Sequence, residues 1–158
     1  MTCAGTRRPT GGCWPVSMTD FQARKAGSAQ SRGRGSPASL LAQARTELIE
    51  AATEPEPEPR YARAHLAALR AAAAVLAQRS ESGFRPRRRG LRSAWDLLLE
   101  LAPELGEWAG FFAAGAGKRA AAEAGILGSV TAREADDLIR EVATFCRLVE
   151  RVTGGDRE

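Results

Sequence analysis

Arg60-Tyr61-Ala62-Arg63-Ala64-His65-Leu66-Ala67-Ala68-Leu69-Arg70-Ala71-Ala72-Ala73-Ala74-Val75-Leu76 decides the fold class. Alanine, leucine and arginine are the strongest helix formers, and neither glycine nor proline interrupts the run. At about 100° per residue, Ala62, Leu66, Leu69, Ala73 and Leu76 share one face. The spacing predicts a helix from about Arg60 to Ser80, whose small side chains let neighbouring helices approach closely.

Upstream, Glu54-Pro55-Glu56-Pro57-Glu58-Pro59 reads as a stiff extended connector, because proline lacks the N–H that a helix interior needs. Before it, Ser36 caps and Pro37 opens a first helix. Leu41, Ala44, Leu48 and Ala52 carry its stripe to Thr53. Downstream, the loop from Glu81 to Gly90 precedes a short helix over Leu91 to Leu101, with Ala94, Leu97, Leu98 and Leu101 inward. Pro103 starts a fourth helix that runs to Gly125 with Leu105, Trp108, Phe111 and Phe112 on its apolar face. Thr131 and Glu134 form a capping box. A fifth helix follows, with Ala135, Leu138, Val142, Phe145 and Val149 on one side, and Gly154-Gly155 stops it. No strand-like alternation occurs. The expected fold is all-α, a four- to five-helix up-down bundle over residues 36–154 behind a disordered tail over 1–35.

Charge separates the same two regions. Residues 1–35 hold six basic side chains against one acidic, a net +5, whereas residues 36–158 hold 17 basic against 18 acidic, a net −1. The domain therefore lacks the high pI that signals nucleic-acid binding. No apolar run reaches the roughly 18 residues a membrane span needs, and no secretory pattern opens the chain, so a cytoplasmic protein is expected. Met18 opens a second plausible start, and mass spectrometry of the native N-terminus tests whether residues 1–17 are translated. Cys3, Cys13 and Cys146 are too scattered for a disulfide framework or a zinc site, and no cofactor motif appears.

His65 is the only histidine. Imidazole titrates near neutrality and serves as a general acid or base, and a guanidinium suits phosphate. Arg60 and His65 form an Arg-x4-His pair, the kind of pair a metal-independent ribonuclease needs. Five residues on one helix, however, separate the side chains by about 140°. On the wheel His65 falls beside the apolar stripe and Arg60 faces solvent. The pair converges only through a distorted first turn or across two protomers; otherwise His65 is a packed helix residue.

Arg85, Arg87, Arg88, Arg89 and Arg92 form the strongest basic patch, a candidate phosphate or RNA contact, or else a solvated loop. Gly115-Ala116-Gly117-Lys118-Arg119 is not a phosphate loop, because Phe112 and Arg119 stand where that motif needs glycine and Ser or Thr. Close packing or a kink at these glycines is expected instead. Glu134, Asp136, Asp137 and Glu141 lack an accompanying histidine and read as carboxylates favoured by a helix N-terminus rather than as metal ligands.

Three stretches carry a family resemblance: Arg60 to Leu76, Arg92-Ser93-Ala94-Trp95 through Glu107-Trp108 to Phe111-Phe112, and Val130 to Leu138. Together, over about residues 38–152, they resemble an actinobacterial branch of the HEPN superfamily (higher eukaryotes and prokaryotes nucleotide-binding). The resemblance implies a helical bundle that forms homodimers. It further implies a metal-independent ribonuclease, with Arg60 on the scissile phosphate and His65 as acid/base at a site shared by two protomers, or an RNA- or nucleotide-binding protein. The alternative is a non-catalytic protein-interaction module, with Trp95, Trp108, Phe111 and Phe112 as core or partner contacts.

Overall fold

The computed structural model describes residues 35–83, 90 and 92–154. Six α-helices occur among them: α1 (Pro37–Thr53), α2 (Pro57–Glu81), α3 (Ala94–Leu101), α4 (Gly106–Ala114), α5 (Ala116–Glu123) and α6 (Ala132–Gly154). A 3₁₀ turn, Pro103–Leu105, leads into α4. The all-α reading holds, and no described helix is long and apolar enough to cross a membrane.

The starts of the helices follow from local chemistry. The Ser36 hydroxyl accepts from the Ser39 N–H at 3.2 Å, with Pro37 in the first turn of α1. Thr131 and Glu134 close the expected capping box, the Glu134 N–H donating to Thr131 Oγ1 at 3.2 Å and the Thr131 N–H to Glu134 Oε2 at 2.8 Å. A second box, Ser93 with Asp96, starts α3 at Ala94, a few residues later than expected. The proline connector is shorter than its sequence suggests. Pro57 and Pro59 lie inside the first turn of α2. There their missing N–H groups would have had no helical partner in any case.

α2 is the central helix. It packs against α1, α6, α3 and α5. Its deeply buried face is not the leucine stripe. Tyr61, Ala64, His65, Ala67, Ala68, Ala71, Ala72, Ala74 and Val75 are buried, while Leu66, Leu69 and Leu76 are only half-buried. Helices on several sides bury a broad arc of α2, and alanine is the side chain that lets their backbones come close. Arg60 meets Asp136 and Gln78 meets Thr153, so α2 and α6 run parallel. The segment from α3 to α5 is the broken return between them. Trp95, Trp108, Phe112 and Phe145 fill the space it encloses; the Trp95 and Phe112 rings stack with centroids 5.0 Å apart.

The expected single fourth helix is divided at Gly115. A Cβ on that residue would stand 3.0 Å from the Tyr61 hydroxyl and 3.6 Å from His65 Nε2. The close approach of α2 thus favours glycine at 115, whereas Gly117, the other glycine of the rejected phosphate-loop segment, has open space around it. A buried carboxylate adds a further tie: Glu58, in the first turn of α2, accepts the Gly128 N–H at 2.6 Å and fixes the loop before α6.

Candidate functional site

His65 lies in the core, 1% exposed. Trp95 and Phe112 present their rings edge-on to it, at centroid distances of 5.7 and 5.9 Å, and Tyr61 lies one turn before it. Its Nε2 is 3.1 Å from the Phe112 carbonyl oxygen. A carbonyl only accepts, so Nε2 carries the hydrogen and Nδ1 the lone pair. Nδ1 is buried and has no hydrogen-bond partner. Burial pushes the imidazole pKa below its ordinary 6.5, and the bond to Phe112 opposes that only in part. The ring is therefore neutral at pH 7.

Arg60 serves another part of the molecule. Its Nε donates to the Glu54 carbonyl at 2.8 Å, Nη2 to the Pro55 carbonyl at 2.7 Å and Nη1 to Asp136 Oδ1 at 2.6 Å. The side chain is 17% exposed rather than solvated, because the connector curls back over it and supplies two carbonyls. Arg60 and His65 share no partner. Within one chain the structure does not bring them together.

Beside His65 a cleft opens between α2, α4, α5 and α6. Its inner part, about 290 Å³, is lined by Tyr61, His65, Phe111, Phe112, Gly115, Lys118 and Leu138 among others. An outer part of about 380 Å³ shares Tyr61, Phe111, Lys118 and Leu138 with it and adds Glu134, Asp137 and Glu141. Lys118 donates to Glu134. That bond holds the Glu134 carboxyl down at about 2 and raises the Lys118 ammonium. Burial raises the Tyr61 phenol, against the neighbouring ammonium.

A family model described as HEPN_SAV_6107-like HEPN matches residues 51–150. The chain belongs to this HEPN family. No curated protein and no solved structure matches it. The matched span runs from the end of α1 nearly to the end of α6. It contains both Arg60 and His65 and the whole lining of the cleft.

The remaining candidates of this HEPN domain have ordinary structural partners or fall outside view. Arg85, Arg87, Arg88 and Arg89 lie outside the described residues. Arg92 pairs with Glu100 and reaches the Asp96 carbonyl at 3.3 Å, so it braces α3. Of the acidic cluster, Glu134 caps α6, Asp136 holds Arg60 and Asp137 pairs with Arg140; no metal-binding group of residues occurs among those described. Trp95 and Phe112 are core residues, and Phe111 faces the cleft at 48% exposure. Cys146 is buried, and burial pushes its thiol up to about 11, well away from reactivity. Sequence reasoning missed Tyr61, Gly115 and Lys118 as cleft residues. The signal available was Gly115 in the glycine cluster, where α2 comes close to the chain.

Proposed function

We propose that this HEPN domain is a non-catalytic helical binding module in which Arg60 and His65 hold the fold. One observation carries the reading: His65 is 1% exposed and commits its only hydrogen to the Phe112 carbonyl. General acid–base catalysis needs a group within hydrogen-bond reach of the substrate. A ribonuclease site would require His65 to leave its aromatic enclosure and Arg60 to give up three bonds at the same time. Phe111, a large apolar side chain left 48% exposed beside the cleft, and the consecutive Ile126 and Leu127 in the loop before α6 offer apolar contacts to a partner. The family resemblance implies a homodimer, and sedimentation velocity on the intact chain tests it.

The test is incubation of the purified protein with mixed RNA in a chelator, beside His65→Ala, His65→Gln and Arg60→Ala. The expected outcome is no cleavage above background from any of the four. Wild-type cleavage that disappears in a variant still folded by circular dichroism would overturn the proposal.

A further inference from the structure

The cleft beside α2 has the chemistry of a ligand site, and its charge selects the ligand. Its floor is Tyr61, 7% exposed, and His65, whose Nδ1 is buried and unpartnered. The Tyr61 hydroxyl makes no hydrogen bond among the described residues. One wall is the half-exposed Phe111 ring; Leu138 faces it. Gly115 keeps the space open, since a side chain there would press on the Tyr61 hydroxyl and come into contact with His65.

The rim is acidic. Glu134, Asp137 and Glu141 lie on successive turns of α6, against the single ammonium of Lys118. Lys118 and Thr131 already engage Glu134. Asp137 pairs with Arg140 and, at 3.9 Å, with Arg133 on the open surface, arrangements that exchange at little cost. Glu141 is exposed and has no partner among the described residues. An anion entering here would meet three carboxylates and one ammonium already in use. A cation would meet an open carboxylate and the aromatic side chains of Tyr61 and Phe111, rings of the kind that attract positive charge.

We propose that this cleft binds a small organic cation, an alkylammonium or guanidinium carried on an apolar or aromatic stem. The stem lies against Phe111 and Leu138, and the charge faces Glu141. The inference rests on reading the cleft as a binding site, but the two fail separately. Metal-independent RNA cleavage would remove the binding-module reading and leave a titration untouched, and a failed titration leaves the RNA result standing.

The experiment titrates the intact chain with phenethylammonium by calorimetry and by NMR. Two probes of the same shape, 2-phenylethanol and 3-phenylpropionate, run beside it. The amine is expected to bind with Kd on the order of 1 mM, as suits a ligand of that size. It should bind about tenfold tighter than either control and shift the Tyr61, Phe111 and Leu138 resonances. Glu141→Gln should weaken it about threefold to fivefold, and Phe111→Ala by a similar factor. Lys118→Met, which frees Glu134, should tighten it, whereas a site built for anions would respond in the opposite sense. If Phe111→Ala fails to fold, Glu141→Gln, on an exposed side chain, carries the test. Equal binding of the alcohol or the carboxylate, or no shift with about 20-fold more amine than the expected Kd, would overturn the proposal. A capped Phe-Arg amide that binds more tightly than the free amine would overturn the small-molecule assignment in favour of a partner's basic side chain.

Discussion

Replacing His65 by leucine should leave the domain nearly as stable as it is, and replacing it by alanine should not. The imidazole contributes one hydrogen bond, to the Phe112 carbonyl, and leaves one buried acceptor, Nδ1, without a donor. A buried hydrogen bond contributes about 0.5–1.5 kcal/mol net, and an unsatisfied buried polar group costs about 1–3 kcal/mol. The two nearly cancel. Phe112 is not stranded by the loss, because its carbonyl also accepts the Gly115 N–H at 3.1 Å. Leucine fills a comparable space without either polar atom, so His65→Leu should stay within about 1 kcal/mol of wild type at pH 8. Alanine leaves a cavity between Trp95, Phe112 and Tyr61 and should cost about 2–4 kcal/mol, or roughly 10 °C in Tm.

The pH dependence separates the packing role from every other. His65 has a lowered pKa in the folded chain, and the unfolded chain titrates near 6.5. Below that pH the unfolded state binds the extra proton first, so stability falls as the pH drops. The contribution is fully present above 6.5 and is lost with a slope of up to about 1.4 kcal/mol per unit as the pH descends toward the folded value. His65→Leu lacks this linkage. Between pH 7.5 and 5.5 it should gain on wild type by up to about 1.4 kcal/mol. Urea denaturation of wild type, His65→Leu and His65→Ala at both pH values measures all of this. A leucine variant as unstable as the alanine one, or a wild-type pH slope unchanged by leucine, would refute the reasoning.

Two further substitutions probe the same region. Arg60→Lys should lose most of what Arg60→Ala loses, about 1–3 kcal/mol, because one ammonium cannot span the Glu54 and Pro55 carbonyls and Asp136 as a guanidinium does; urea midpoints at pH 7 decide it. Gly115→Ala should cost about 1–2 kcal/mol through pressure on the Tyr61 hydroxyl, despite alanine's better helix propensity, and should move the Tyr61 and His65 ring resonances.

The long helices were legible because their signals are local. Ser36-Pro37, the Thr131–Glu134 box and the stripe of α6 each depend on residues within a turn or two, and each forms as its sequence suggests. Beyond the later start of α3 and the division of the expected fourth helix at Gly115, the misreadings that bear on the site concern α2. A wheel ranks faces by side-chain size, so it favoured Leu66, Leu69 and Leu76. In the fold, burial goes to the side that several helices cover, and close coverage selects alanine. The wheel also turned Arg60 toward solvent, since nothing local indicates that Glu54 and Pro55 fold back on it or that Asp136 arrives from α6. The glycines at 115 and 117 suggest close packing or a kink, but the sequence names neither Tyr61 nor His65 as what Gly115 packs against.

These misreadings meet at one place. The first three turns of an otherwise alanine-rich helix hold its most committed polar side chains, and each is tied to a different segment. Glu58 holds the loop at Gly128, Arg60 holds the connector and α6, and His65 holds the end of α4 at Phe112. Residues about 140° apart on a helix are poorly arranged to act on one substrate, but well arranged to fasten separate neighbours to the same rod. The Arg-x4-His spacing is therefore accounted for by joints on two sides of α2. The cleft borders those joints, with Tyr61 and His65 as its floor and α6 as its rim, so its walls are set by the same ties that hold the bundle together. A ligand that fits would find the site already formed, which favours binding at little cost in ordering the protein.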